Sequence, residues 1–223
     1  MGTRAQTILE RNTTSYSVFS RQSLPPPNNP DASTLLALQP FFDIANNVVS
    51  SHSKNQTGPQ SFLPQDASAA DPASLGVCIL IANWTRAANG GASRGLDYAG
   101  AAKSQIDYLF SAVPRTPDGA LSHRVSELQL WFASFHYLLT FLTVPFRSDS
   151  VYMVPPFLAY YGVTTRNRTM VREAYNQIKL YRNYLLDPHQ GKWKHIHSFG
   201  RSGNDSGFWS TGVSASQLFT DLV

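Results

Sequence analysis

Residues 128–158 read LQLWFASFHYLLTFLTVPFRSDSVYMVPPFL, and the choice between a membrane span and a helical globular domain turns on this stretch. Its first part, Leu128 to Phe146, holds 19 residues without a formal charge. That is about the length needed to cross a bilayer core. Gln129, His136 and Pro145 interrupt the apolar run and count against a span. The second part puts Ser148 and Asp149 ahead of an apolar series. Ser and Asp are favoured where a helix begins, because their side chains accept its first free N–H groups. A helix is therefore predicted over 148–161, despite Pro155 and Pro156.

Helical patterns dominate on both sides of this stretch. Leu35, Leu38, Phe42, Ala45 and Val49 recur at three-four spacing, which predicts a helix capped by Asp31 or Ser33 and running to about Ser50. Pro40 inside it predicts a kink or a break. Asp71-Pro72 starts a second helix, with Pro at the first turn. Its residues Leu75, Val77, Cys78, Leu80 and Ile81 are apolar nearly all round, so it is predicted to be buried on most sides. A third helix is predicted from Asp97 to Val113. Residues 120–131 read as partly extended. A further helix is predicted from Thr169 to Leu186, with Ala174, Tyr175, Ile178, Tyr181, Tyr184 and Leu185 on one face. Residues 1–30 read as a polar stretch that stops at Leu24-Pro25-Pro26-Pro27. From Gln190 onward the chain reads as loop. Helices of three to five turns without an internal period give an all-α array.

Composition narrows the function. Of 223 residues, 42% are hydrophobic, enough for a core, which excludes wholesale disorder. Charged residues make up only 14%, against about 25% in average globular chains. The net charge of +4 is scattered and forms no stripe for nucleic acid. The single cysteine, Cys78, excludes a disulfide framework and a multi-cysteine zinc site. His195-Ile196-His197 has the spacing of a metal pair but no third ligand, so neither metal nor cofactor is expected. Sequons begin at Asn12, Asn55, Asn83, Asn167 and Asn204 and, with the low charge, point to an extracellular protein. The N-terminus MGTRAQTILERN shows no apolar signal segment. Either the start is misplaced or the protein is cytoplasmic.

Three stretches together carry a resemblance. They are Ser122-His123-Arg124 leading to Leu128-Gln129-Leu130-Trp131; Ser148-Asp149-Ser150 through Tyr152-Met153-Val154-Pro155-Pro156; and Trp193-Lys194-His195 with Gly207-Phe208-Trp209-Ser210-Thr211-Gly212. The chain resembles, over most of residues 1–212, the six-hairpin glycosidases of glycoside hydrolase family 105 and the related family 88, especially fungal members. The resemblance implies an (α/α)6 toroid that removes an unsaturated uronic acid from oligosaccharides left by polysaccharide lyases. For family 105 the typical substrate is an unsaturated rhamnogalacturonan disaccharide from pectin. In that family Trp and the catalytic Asp share one continuous motif. Here 132–147 separate Trp131 from Ser148, and removing these 16 residues restores LQLWSDSVYMVPPF. The resemblance thus recasts 132–147 as an aberrant insertion rather than part of a membrane span over 128–146. It likewise makes 213–223 a divergent tail. The expected fold is a single domain over 1–223, an incomplete (α/α)6 toroid with about half of its helices. Such a chain is expected to be inactive as it stands. A non-catalytic fragment and a single-pass membrane protein remain the alternatives.

The resemblance also assigns roles. Asp149 matches the catalytic Asp. Asp71 is the best match for an assisting carboxylate. Asp118 is weaker, because an Asp-Gly turn explains it. His123, Arg124, Trp131, His195 and Trp209 match or approach positions that bind the sugar. Relatives carry an Arg for the sugar carboxylate where this chain has Thr211, and Arg124 is the available substitute. Both Asp71 and Asp149 also read as helix caps from sequence alone. Trp193 and Trp209 read equally as sugar platforms or as core.

Overall fold

The computed structural model describes residues 1–17, 24–52, 58–85, 95–131, 150–201 and 203–208. The longest apolar periodicity makes the longest helix. We number the helices α1 (Gly2–Asn12), α2 (Ala32–His52), α3 (Ala70–Ser74), α4 (Gly76–Thr85), α5 (Tyr98–Ser111), α6 (Ser150–Thr164) and α7 (Arg168–Leu185). In α2, Leu38, Phe41, Phe42, Ala45, Val48, Val49 and His52 form the buried stripe. Asp31 caps it, accepting the N–H of Thr34 at 2.7 Å and the hydroxyl of Ser33 at 2.9 Å. The helix passes through Pro40 without the predicted break. Pro40 is exposed, so water can satisfy the carbonyl that its missing N–H leaves free.

Helix α4 is buried at nearly every position and lies against α2, α5 and α6. The predicted second helix is in fact two, α3 and α4, separated by Leu75. Helices α6 and α7 are joined by three residues and pack along each other, the arrangement of an αα-hairpin. Gly162 permits this approach, because a Cβ there would lie 2.6 Å from Val171 Cγ2. Asn167 caps α7 by accepting the N–H groups of Thr169 and Met170. Tyr175, expected on the buried face of α7, is 43% exposed. Gln177 is buried in that stripe instead.

Two elements depart from the sequence reading. Helix α1 forms within the stretch read as polar, with Ala5 and Leu9 buried against α2 and α3. Its stripe is only two apolar turns long, too short to stand out. The loop expected after Gln190 contains two short strands, each paired with one earlier in the chain: β4 (Ile196–Ser198) pairs with β1 (Gln129–Trp131), and β3 (Lys192–Trp193) with β2 (Leu186–Asp187). Trp193 is 1% exposed and belongs to a small second core with Leu130, Val151, Tyr181 and Leu185. Of its two readings, the core one holds. The fold is mostly helical, that of a partial (α/α)6 domain. Among the described residues no helix is long and apolar enough to cross a membrane. Residues 132–147 and 213–223 lie outside the described part.

Candidate active site

Helix α7 fixes the segment that carries the site. Gln177 accepts the N–H of Leu121 at 2.9 Å and donates to the carbonyl of Gly119 at 2.9 Å. Tyr181 donates its hydroxyl to the carbonyl of Leu121 at 2.6 Å. Ser122, next in the chain, accepts the N–H of Gln129 at 2.9 Å and so closes the turn leading to β1. A backbone bridge between Ser68 and Arg124 ties this turn to the approach of α3. Asp71, His123, Arg124 and Trp131 are thereby drawn into one region. The β1–β4 pairing sets Trp131 opposite Ile196, next to His195.

Trp131 is the centre of the cluster. Its ring lies on that of His123 with centroids 4.8 Å apart and planes 6° from parallel. His195 meets it edge-on at 5.9 Å. The guanidinium carbon of Arg124 stands 4.6 Å from its centroid, within cation–π range. The indole N–H donates to Gln129 Oε1 at 2.6 Å. Beside this group opens a pocket of about 340 Å³, whose lining includes Arg124, Ser126, Glu127, Gln129, Trp131 and Ile196. That volume lies at the small end of ligand sites. Arg124 and Trp131 line the pocket; His123 and His195 are buried and do not line it.

The titratable groups are perturbed in opposite senses. His123 is pushed down to about 3, first by burial, then by the charges of Arg124 and His195. It is neutral throughout the physiological range. The Asp71 carboxyl sits above its usual range. Burial is the main cause; the Ser68 hydrogen bond opposes it, Asp66 adds to it, and Arg124 opposes it. His195 Nδ1 lies 2.6 Å from Asp205 Oδ2, which fixes the ring's orientation. Asp118 is held below its usual range by hydrogen bonds from Thr116 and Tyr184, as befits a turn residue.

The structure therefore brings together five of the seven residues singled out from sequence: Asp71, His123, Arg124, Trp131 and His195. Asp149 and Trp209 lie outside the described residues, as does Thr211. Ser150, which follows Asp149 in the chain, is described, and its hydroxyl is 2.7 Å from His123 Nδ1. The sequence reading missed Ser68, Gln129, Ser150 and Asp205. Isolated serines carry no signal of their own, and Asp205 sits inside a sequon. His197 packs on Tyr184 and Phe199 instead of joining His195. Among the described residues no three metal-ligating side chains converge.

The family model described as Glycosyl Hydrolase Family 88 matches residues 68–214, more than half of the chain. The chain belongs to glycosyl hydrolase family 88. The matched span opens at Ser68, one of the hydroxyls beside His123. It contains every residue of the candidate site described above, together with the pocket wall from Arg124 to Trp131. No curated protein matches the chain.

Proposed function

We propose that this family 88 domain removes an unsaturated uronic acid from an oligosaccharide, with unsaturated rhamnogalacturonan fragments of pectin as the substrate class. The observation that carries the reading is the gathering of Arg124 and Trp131 in the lining of one pocket, with Asp71 near enough to feel the Arg124 charge, all within the family-matched span. An unsaturated uronic acid contains a vinyl ether conjugated to a carboxylate. An acid protonates the double bond, leaving positive charge shared with the ring oxygen. Water adds to that centre and gives up a proton to a base. The hemiketal then opens and the partner sugar leaves.

One carboxyl can give the first proton and accept the second, provided its pKa is raised toward the working pH. Asp149 takes this role in our reading, because it matches the family's catalytic Asp and precedes Ser150. Asp71 assists: its raised carboxyl stays protonated to higher pH than a solvated one. Arg124 takes the sugar carboxylate, as a guanidinium can bind it bidentately. Trp131 offers a stacking face. The test is hydrolysis of unsaturated rhamnogalacturonan disaccharide, followed as loss of the double bond's ultraviolet absorbance. Both the present chain and a version lacking residues 132–147 are assayed. Absence of turnover in both, or an Asp149→Asn rate equal to the parent's, refutes the assignment.

Two related proposals go with it. Residues 132–147 are an insertion between two halves of one motif; a spliced transcript retaining all their codons overturns this. The protein is extracellular. Asn12, Asn167 and Asn204 are exposed, so their sequons are accessible to glycosylation. Secreted protein whose mass is unchanged by endoglycosidase would count against modification at these sites.

A further inference from the structure

His123 is a deeply enclosed polar side chain beside the pocket. It is 3% exposed, and its hydroxyl neighbours Ser68 and Ser150 are 0% and 2% exposed. Nδ1 lies 2.7 Å from Ser150 Oγ. Nε2 lies 3.4 Å from Ser68 Oγ. Ser68 Oγ also accepts the backbone N–H of Asp71 at 3.0 Å. The backbone of His123 is held equally: its N–H donates to the Gln129 carbonyl at 2.7 Å, and its carbonyl accepts the Ala69 N–H at 2.7 Å. The imidazole thus spans from the turn that leads into Asp71 to the first residue of α6.

We propose that His123 is a positioning residue, a neutral imidazole bracket that holds the Asp71 turn against the start of α6 without touching the ligand. This deepens the proposed function, on which it rests for what is being positioned. A neutral imidazole has one donor and one acceptor, and a serine hydroxyl can take either part. Two hydroxyls therefore satisfy the ring without any charge. Both ring nitrogens are then engaged, and Trp131 covers a face. A sugar in the pocket meets Trp131 and Arg124 first. The role differs from the sugar contact that the resemblance implies for this position.

The experiment uses the full 223-residue chain with ¹⁵N-labelled histidine. The His123 ring signals are assigned by their loss in His123→Asn, or by their shift in Ser150→Ala should that variant not fold. The bracket predicts one protonated and one unprotonated nitrogen, both unchanged from about pH 5 to 8. Ser150→Ala moves the Nδ1 signal and Ser68→Ala the Nε2 signal. Unsaturated rhamnogalacturonan disaccharide moves neither. A ring that titrates near the ordinary histidine value of about 6.5 overturns the proposal. So does a Nε2 shift on adding the disaccharide as large as that in Ser68→Ala. In turnover, measured in the version lacking residues 132–147, His123→Ala is expected to lower kcat about tenfold or more with KM within about twofold. His123→Asn, which keeps a polar atom toward Ser150, recovers most of that loss. A raised KM at unchanged kcat would instead make His123 a ligand contact. If neither the 223-residue chain nor the version lacking residues 132–147 binds or turns over the disaccharide while the ring signals behave as expected, the proposed function fails and the bracket stands on the pH and serine arms.

Discussion

The indole of Trp131 lies flat on the imidazole of His123, with ring centroids 4.8 Å apart and planes 6° from parallel. The contact does two things at once. It gives the indole a fixed backing, so that the pocket has a rigid aromatic wall. It also seals the imidazole from water, and a ring so sealed resists protonation. The wall and the buried polar bracket behind it are one unit.

Replacing the wall should therefore change the titration of the ring behind it. In Trp131→Ala the His123 pKa is expected to climb from about 3 toward the ordinary value. The folded pKa lies below the unfolded one, so the unfolded chain takes up the proton first. The stability held by the neutral ring is present above about pH 6.5 and is lost as pH falls toward 3, at up to about 1.4 kcal/mol per pH unit. Melts at several pH values in this window should show a shallower slope for Trp131→Ala than for the parent. Equal slopes would mean that the indole does not control the ring.

Asp71 predicts a trade between stability and activity. Its folded pKa is raised, chiefly by burial. The unfolded chain releases the proton first, so the stability tied to the protonated form falls as pH rises through the window above the ordinary aspartate value. Asp71→Asn removes the buried charge while keeping the shape. The variant should melt higher than the parent at pH 7, by an amount that vanishes at low pH. In the version lacking residues 132–147, turnover should drop about a hundredfold or more, the scale of a lost proton-transfer group. A variant that melts lower and keeps its rate would remove Asp71 from the site.

How far the sequence reaches is clear from particular residues. Helix α2 was legible because its stripe runs unbroken from Leu38 to His52. Helix α4 was legible as a central helix because Val77 to Ala82 is apolar on every side. The end of α3 was not, since nothing local distinguishes Leu75 from its neighbours. Gln177 was invisible because its burial depends on the carbonyl of Gly119 and the N–H of Leu121, more than fifty residues away. The site shows the same divide. The motif around Trp131 singled out the aromatic wall, and the fold adds to it the serines flanking His123. A serine becomes a ring partner only through tertiary placement, which leaves no trace in spacing.

The packing of α4 on α6 gives a prediction independent of the chemistry. A Cβ on Gly76 would lie 2.1 Å from the ring of Phe157, itself fully buried. Gly76→Ala must push the ring out of its place and is expected to cost about 1–3 kcal/mol, as overpacked cores do. In a chain of this size that lowers Tm by about 2–4 °C per kcal/mol. Gly203→Ala is the control, since a Cβ there meets nothing within 4 Å, and should shift Tm little. Equal melting of both variants would show that α6 sits farther from α4 than described.

Arg124 decides whether the pocket reads charge. Its guanidinium stacks on Trp131 and lines the pocket, and among the described residues it forms no ion pair with a carboxylate. A hydrogen bond to a charged group contributes roughly 1.5–3 kcal/mol, so Arg124→Gln should weaken binding of an unsaturated uronide about 10- to 150-fold. The methyl ester of the same sugar, which lacks the charge, should lose little. Arg124→Lys should recover only part of the affinity, because an ammonium cannot make the bidentate pair. The same charge holds the Asp71 carboxyl down against burial, so Arg124→Gln should also move the Asp71 titration upward. Calorimetric binding of acid and ester to the three proteins separates the possibilities. If acid and ester weaken alike, Arg124 acts by holding the Trp131 wall in place, and the sugar carboxylate is bound elsewhere.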